Sequence, residues 1–121
     1  MSKRILIVED AGEFRLLLQE VVEAMGYEPV VAERATEGWR IMQKKPVSLI
    51  LLDLKMPQIM GHNFIKFVRE RGIQVPVIVV SGYLKPKVLE SLLQYGIRTI
   101  ISKPFKIQRL TREIGNALSP D

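Results

Sequence analysis

The chain has 121 residues, enough for one domain, and 47% of them are apolar, enough for a hydrophobic core. It has no cysteine, which excludes disulfides and thiolate metal sites. No apolar run approaches the ~20 residues that span a bilayer, and the short run near the N-terminus ends in acids where a signal peptide would have its cleavage site. We therefore expect one cytoplasmic domain, residues 1–121, with no membrane association.

The net charge of +5 is unevenly distributed along the chain. Residues 1–84 carry 11 basic and 10 acidic side chains, whereas residues 85–121 carry 7 basic and 3 acidic ones. The last third therefore predicts a basic face, which is either simply solvated or suited to an acidic partner. Aromatic side chains that would stack on bases do not interleave with these charges, so direct nucleic-acid binding is disfavoured.

Five short apolar runs alternate along the chain with five amphipathic stretches. The runs cover residues 5–8, 29–32, 49–52, 77–80 and 100–101, and the second is the weakest. All five stretches, including the last, carry apolar residues at helical spacing, which predicts five helices. Three of the predicted helices end at a glycine: Gly26, Gly72 or Gly96. Residues 119–121 are typical of a linker or a free tail.

Runs that are apolar throughout predict strands buried on both faces, and strict alternation of strand and helix predicts a parallel sheet covered on both sides. Five units are too few for an eight-stranded barrel. The predicted fold is an open, doubly wound (βα)5 α/β sandwich with the flavodoxin-like strand order 2-1-3-4-5.

Polar side chains follow all five predicted strands; Glu33 follows the second, at what would be an edge of the sheet, and the polar residues of the other four strands lie closer together. Glu9 and Asp10 follow the first strand, Asp53 the third, Ser81 the fourth and Lys103 the fifth. Ligands of open α/β sheets bind at the carboxyl ends of the strands, so we expect these side chains to share one crevice.

This set of groups indicates phosphoryl chemistry. Three carboxylates repel one another, and a hard divalent cation with few protein ligands, Mg²⁺ rather than Ca²⁺, relieves that repulsion. A phosphoryl group on one carboxylate would meet the cation, an ammonium and a hydroxyl, which together stabilise the charge of a transferring phosphoryl group.

Taken in order, these motifs resemble the receiver domains of bacterial two-component response regulators. The likeness covers essentially the whole chain and rests on residues 5–10, on Asp-Leu-Lys-Met-Pro at 53–57 with Gly61, on Ser81-Gly82 and on Lys103-Pro104-Phe105. It implies a cis peptide bond between Lys103 and Pro104.

The resemblance also implies a role for each matching residue. Asp53 would be the nucleophile and phosphoacceptor. Glu9, Asp10 and Asp53, together with the backbone carbonyl of Lys55, would bind Mg²⁺. Ser81 and Lys103 would bind the phosphoryl group, with Gly82 and Pro104 in supporting positions.

Some positions vary in this family or depart from its usual pattern. The side chains of Lys55 and Tyr83 would face the attacking water, so they are candidates for tuning the lifetime of the acyl phosphate. The strand-five position that is often aromatic in the family is Ile100 here. We expect His62, the one histidine of the chain, to be an exposed loop residue near the rim of the site.

The resemblance implies a sensor histidine kinase or a histidine phosphotransfer protein as phosphodonor, and an effector that binds the basic face of residues 85–121. It implies no enzyme beyond self-catalysed phosphotransfer and autodephosphorylation. The main alternative is a degenerate receiver that binds a partner without phosphorylation. A phosphohydrolase with an aspartate nucleophile would need an acid where Lys55 stands, and nucleotide binding would need a glycine-rich loop that the chain lacks.

Overall fold

The computed structural model describes residues 2–119, in which five strands and five helices alternate. The strands are β1 (Arg4–Val8), β2 (Glu28–Ala32), β3 (Leu49–Leu52), β4 (Val77–Ser81) and β5 (Thr99–Ser102). The helices are α1 (Gly12–Ala24), α2 (Ala35–Lys44), α3 (Gly61–Glu70), α4 (Pro86–Gln94) and α5 (Ile107–Leu118). All strand pairs are parallel and the order is β2-β1-β3-β4-β5, which confirms the predicted fold.

The sheet is buried on both faces because alternate side chains of its central strands enter two separate apolar clusters. Leu6 and Val8 of β1 pack with α2, α3 and α4, whereas Ile5 and Ile7 pack with α1 and α5. All four β3 side chains are at most 1% exposed. Burial of both faces explains why the strands are continuous apolar runs rather than alternating ones.

Three helices end as the glycine pattern predicts. Gly26, Gly72 and Gly96 have φ values of 87°, 78° and 77°, a left-handed conformation that glycine adopts without a Cβ penalty. In each case the next residue donates its backbone N–H to the carbonyl five positions earlier, as Tyr27 does to Val22. These closures turn the chain back towards the sheet at the start of the following strand.

Four strands extend beyond the predicted runs, and only β3 has the predicted bounds. Strands β1 and β2 each begin one residue earlier, at Arg4 and Glu28. Ser81 is the last residue of β4 rather than the first residue after it, because it pairs with Ser102 of β5. Strand β5 accordingly spans four residues instead of two. Within residues 2–119 no helix is long and apolar enough to cross a membrane. The predicted linker or tail lies mostly at residues 120 and 121, outside the described residues.

Candidate functional site

Three carboxylates meet at the carboxyl end of the sheet. Glu9 and Asp10 follow β1 and Asp53 follows β3, and these strands are adjacent because Val8 pairs with Leu52. Carboxylate oxygens of the three residues lie within 4.8 Å of one another. Glu9 is fully buried and Asp53 is 7% exposed, whereas Asp10 is exposed. The predicted convergence of the strand-end acids is therefore present.

Lys103 enters the same crevice from the end of β5. Its backbone N–H donates to the Ser81 carbonyl at 3.1 Å, and the Lys103–Pro104 bond is cis, as the resemblance implied. Its Nζ lies 2.6 Å from Glu9 Oε1 and 3.5 Å from Asp53 Oδ2. The ammonium thus contacts Glu9 more closely than Asp53.

The buried position of Glu9 governs the electrostatics of the site. Burial raises the pKa of the Glu9 carboxyl to about 7, against the opposing hydrogen bond from Lys103, and the charge of Asp53 acts in the same direction as burial. A carboxyl whose pKa lies near 7 changes its protonation state easily, so a metal ion and a proton compete for Glu9 at neutral pH.

The backbone around Asp53 is fixed by α3. The N–H of Gly61 donates to the Leu54 carbonyl at 2.7 Å, and a Cβ on Gly61 would lie 2.5 Å from the Asp53 carbonyl oxygen and 2.7 Å from Leu54 Cα. Only glycine fits this approach without a shift of the backbone. The N–H of exposed Lys55 points towards Asp53 Oδ1 at 3.5 Å, which keeps the Lys55 backbone beside the acids.

The loop between β3 and α3 contains a tight turn. Gln58 has a φ of 69°, and across it the Ile59 N–H donates to the Pro57 carbonyl at 2.8 Å. This combination is a γ-turn of the strained kind, with a non-glycine residue at its centre. The turn was not predicted, since no local sequence signal marks Gln58 for a positive φ.

Ser81 is buried, and its hydroxyl retains a hydrogen for a ligand. The Tyr83 N–H donates to Ser81 Oγ at 3.0 Å, which occupies one acceptor position and leaves the hydroxyl hydrogen free to donate. Gly82 is exposed beside it. The half-buried side chains of Tyr83 and Ile100 pack against the same apolar cluster. The strand-five position noted in the sequence, Ile100, therefore carries a packed aliphatic side chain.

Two residues at the site were missed by the sequence analysis. Arg15 Nη1 donates to the carbonyls of Glu9 at 3.1 Å and Asp10 at 3.2 Å, which orders the loop that carries both acids. The Phe14 ring centroid lies 4.2 Å from Lys103 Nζ. Both residues lie in the first turn of α1, shortly after the acidic pair. Their closeness in sequence to that pair was the signal from which they could have been assigned to the site.

One expectation is wrong. His62 is a half-buried residue in the first turn of α3 rather than an exposed loop residue, because α3 begins at Gly61. Its Nδ1 is shielded from solvent and has no hydrogen-bond partner among residues 2–119.

The side chains predicted to form a basic face are exposed, with one exception. Six of the seven basic side chains in residues 85–121 are exposed. The seventh, Lys103, is 13% exposed and belongs to the crevice instead. The exposed set consists of Lys85, Lys87, Arg98, Lys106, Arg109 and Arg112.

The three carboxylates are suitable ligands for a hard divalent cation. The ligand atoms that Glu9, Asp10 and Asp53 offer are all carboxylate oxygens, and they lie close enough together to bind one ion. Asp10 is exposed, so water can complete the coordination shell. When ionised, the three carboxylates exceed the charge of Lys103 by two units. A divalent cation would neutralise that excess.

Comparisons with known proteins agree with this geometry. Residues 5–115 match the family model described as the response regulator receiver domain. Sporulation initiation phosphotransferase F of Bacillus subtilis (strain 168) is 30% identical over 110 residues, covering 91% of this chain and 89% of that protein. Regulator of RpoS of Escherichia coli (strain K12) is 30% identical over 114 residues, covering 94% of this chain and 34% of that protein. The chain thus spans about a third of the length of that relative.

A solved structure gives the same result. The crystal structure of a CheY-like response regulator receiver domain protein from Methanospirillum hungatei JF-1 matches with a TM-score of 0.88 and 28% identity, covering 96% of this chain and 93% of that one. Sequence, fold and the convergence of strand-end acids with Lys103 all agree with the resemblance. The chain belongs to the response regulator receiver domain family of two-component systems.

Proposed function

We propose that Asp53 accepts a phosphoryl group from a phosphohistidine, on a sensor histidine kinase or a histidine phosphotransfer protein, and that this modification switches a partner-binding surface. The observation that supports it most is the position of the Asp53 carboxylate. It is 7% exposed in a crevice, within 4.8 Å of oxygens of Glu9 and Asp10, and 3.5 Å from the Lys103 ammonium.

We propose that the cofactor is Mg²⁺. Glu9, Asp10, Asp53 and the backbone carbonyl of Lys55 would hold it, with water completing the shell. When bound, Mg²⁺ would stabilise the negative charge on the oxygens of the phosphoryl group.

The phosphorylation step follows from the same residues. An Asp53 carboxylate oxygen attacks phosphorus, the P–N bond to the donor imidazole breaks, and its electron pair leaves with the imidazole, giving an acyl phosphate. Lys103 exchanges its contact with Glu9 for a phosphoryl oxygen, and Ser81 donates its hydroxyl hydrogen to another. Water later attacks phosphorus and releases inorganic phosphate, which regenerates the carboxylate. Lys55 and Tyr83 are the candidates for tuning this second step.

The protein acts here on its own aspartyl phosphate alone and is not an enzyme acting on a separate substrate. We place it in the cytoplasm, where a phosphohistidine donor would meet it. Its effector would present acidic groups to the exposed cations of residues 85–119. The alternative, a degenerate receiver that binds without phosphorylation, is weakened by the complete set of acids and by the position of Lys103.

Intact mass after incubation with acetyl phosphate tests the proposal. We expect a Mg²⁺-dependent gain of one phosphoryl group in the wild type and none in Asp53→Asn. Glu90→Gln, which neutralises an exposed acid of α4, is the control and should gain the group as the wild type does. Absence of the gain in wild type, together with no change on adding beryllofluoride and Mg²⁺, would support the degenerate receiver instead.

A further inference from the structure

An apolar groove runs between α2 and α3, with Trp39 in its middle. On one side of Trp39 is a hollow of about 270 Å³, lined also by Thr36, Ile59, Asn63 and Phe67 among others. On the other side is a more open hollow of about 620 Å³, lined also by Met42, Gln43 and Val47 among others. Nothing in the proposed phosphorylation chemistry uses this groove.

Aromatic rings and a guanidinium form one wall of the groove. Trp39 and Phe67 pack edge to face, with ring centroids 5.0 Å apart and an interplanar angle of 88°. The exposed Arg71 lies with its Cζ 3.3 Å from the Phe67 centroid and 5.8 Å from that of Trp39, and its Nη1 donates to the Phe67 carbonyl at 3.0 Å. Tryptophan and arginine are the residues that most often dominate the energy of protein interfaces.

The segments that contain α2 and α3 are strongly basic. Residues 34–45 and 61–71 together contain seven basic and two acidic side chains, a surplus equal to the net charge of +5 of the whole chain. Six of the basic side chains are exposed, and none of these six forms an ion pair within residues 2–119. They are Arg34, Arg40, Lys44, Lys45, Lys66 and Arg71.

We propose that this groove docks an acidic amphipathic helix of a partner protein, with a large apolar side chain of that helix inserted beside Trp39. Each groove helix has 10 residues, a length of about 15 Å, which accommodates about three turns of a docked helix. The apolar hollows receive its apolar face, and the exposed cations of the α2 and α3 segments receive its carboxylates. The surface is separate from the basic face of residues 85–121 and does not require Asp53.

A second copy of this chain is a less suitable occupant, although it carries a matching element. On α1, Leu16 is 55% exposed and lies among the exposed acids Glu13, Glu20 and Glu23. However, α1 packs on the opposite face of the sheet from α2 and α3. Such a contact would join α1 of one copy to the groove of the next. It would leave one groove and one α1 free, so further copies would add to form a filament rather than a closed dimer.

Fluorescence of Trp39, the one tryptophan of the chain, reports directly on occupancy of the groove. The probe is a 14-residue tryptophan-free peptide with leucine and phenylalanine at i, i+3, i+4 and i+7 and glutamate at the other positions. The control peptide has lysine in place of glutamate. We expect saturable quenching or a spectral shift with the acidic peptide only, weakening as salt is added. No saturable change with the acidic peptide, or an equal change with the basic one, would overturn the proposal.

Charge reversal locates the binding. Arg40→Glu with Lys66→Glu changes exposed residues on the two groove helices and should weaken binding by about tenfold. Lys87→Glu with Arg112→Glu makes the same change of net charge on α4 and α5 and should leave the affinity within about twofold. The reverse ranking would place the peptide on the other basic face and overturn the proposal.

Two further controls separate the alternatives. The Asp53→Asn protein should bind the acidic peptide with the same affinity as wild type. The docking proposal is therefore tested independently of the phosphorylation chemistry. Light scattering of the protein alone should indicate a monomer. A concentration-dependent rise in scattering that Glu20→Lys abolishes would assign the groove to a second copy, and would overturn the assignment to a separate partner.

Discussion

Replacing Gly61 with alanine should destabilise the fold and slow phosphorylation together. The added Cβ would lie 2.5 Å from the Asp53 carbonyl oxygen and 2.7 Å from Leu54 Cα. Both atoms are backbone, so no side-chain rotation relieves the contact, and α3 has to move away from the end of β3. This movement weakens the bond from the Gly61 N–H to the Leu54 carbonyl, now 2.7 Å long.

The magnitude follows from these contacts. Overpacking of this kind costs roughly 1–3 kcal/mol, and the strained hydrogen bond adds about 1 kcal/mol. The better helix propensity of alanine offsets up to about 1 kcal/mol. The free energy of unfolding should therefore fall by about 1–4 kcal/mol, which lowers Tm by roughly 4–16 °C for a domain of this size. A displacement of the Asp53 backbone by about 1 Å can slow its reaction by as much as ~100-fold.

Thermal unfolding followed by circular dichroism measures the first effect, and the rate of labelling by acetyl phosphate with Mg²⁺ measures the second. Gly115→Ala is the matched control, since Gly115 lies in α5 and a Cβ there meets nothing within 4 Å. It should stabilise the protein by roughly 0.5–1 kcal/mol and leave labelling unchanged. A Gly61→Ala protein as stable as wild type would refute the reasoning, as would equal effects of the two substitutions.

Three other substitutions test the electrostatics and the backbone of the site. Without Mg²⁺, the contribution of Glu9 to stability should fall as pH rises from about 4.5 to about 7, because the folded state keeps a Glu9 proton that the unfolded state has released; this contribution should be level above that range. Thermal unfolding of Glu9→Gln, compared with wild type, should show that this component of the pH dependence is lost, and identical profiles would contradict the raised pKa. Lys103→Met should destabilise the fold by about 3 kcal/mol at pH 8, where the buried Glu9 loses its cation and either stays charged or takes up a proton, and clearly less at pH 5, where Glu9 is protonated in both proteins. Urea unfolding at both values measures this, and equal losses would count against the pairing. Gln58→Gly should stabilise by roughly 1 kcal/mol because it removes a positive-φ strain, whereas Gln74→Gly, at an exposed loop position without that φ, should not; a neutral or destabilising Gln58→Gly in calorimetry would be inconsistent with the γ-turn.

The fold and the members of the site were predictable because both depend on short-range patterns. Apolar runs fix which segments are strands, and the residue after each run lies at the carboxyl edge of the sheet, so Asp10, Asp53 and Lys103 could be placed together. The contact of Lys103 with Glu9 rather than with Asp53 could not be predicted, since it depends on side-chain positions that several strands set jointly.

Features that depend on segments distant along the chain could not be predicted from the sequence either. The close approach of Gly61 to Asp53 depends on how α3 docks on the sheet. The groove combines the basic segments 34–45 and 61–71, which are separated along the chain and adjacent in space. The charge count over residues 1–84 concealed this surplus, because the rest of that range carries eight acidic and only four basic side chains.

Identification of the phosphorylated atom tests the central claim most directly. Two other nucleophiles are candidates: the Asp10 carboxylate, within 4.8 Å of that of Asp53, and the Ser81 hydroxyl, at the end of the strand next to β3. Borohydride reduces an aspartyl phosphate to homoserine, which tandem mass spectrometry locates to a single residue after proteolysis. The account predicts homoserine at position 53, only after treatment with acetyl phosphate and Mg²⁺. Homoserine at position 10, or an unreduced phosphate on Ser81, would contradict it.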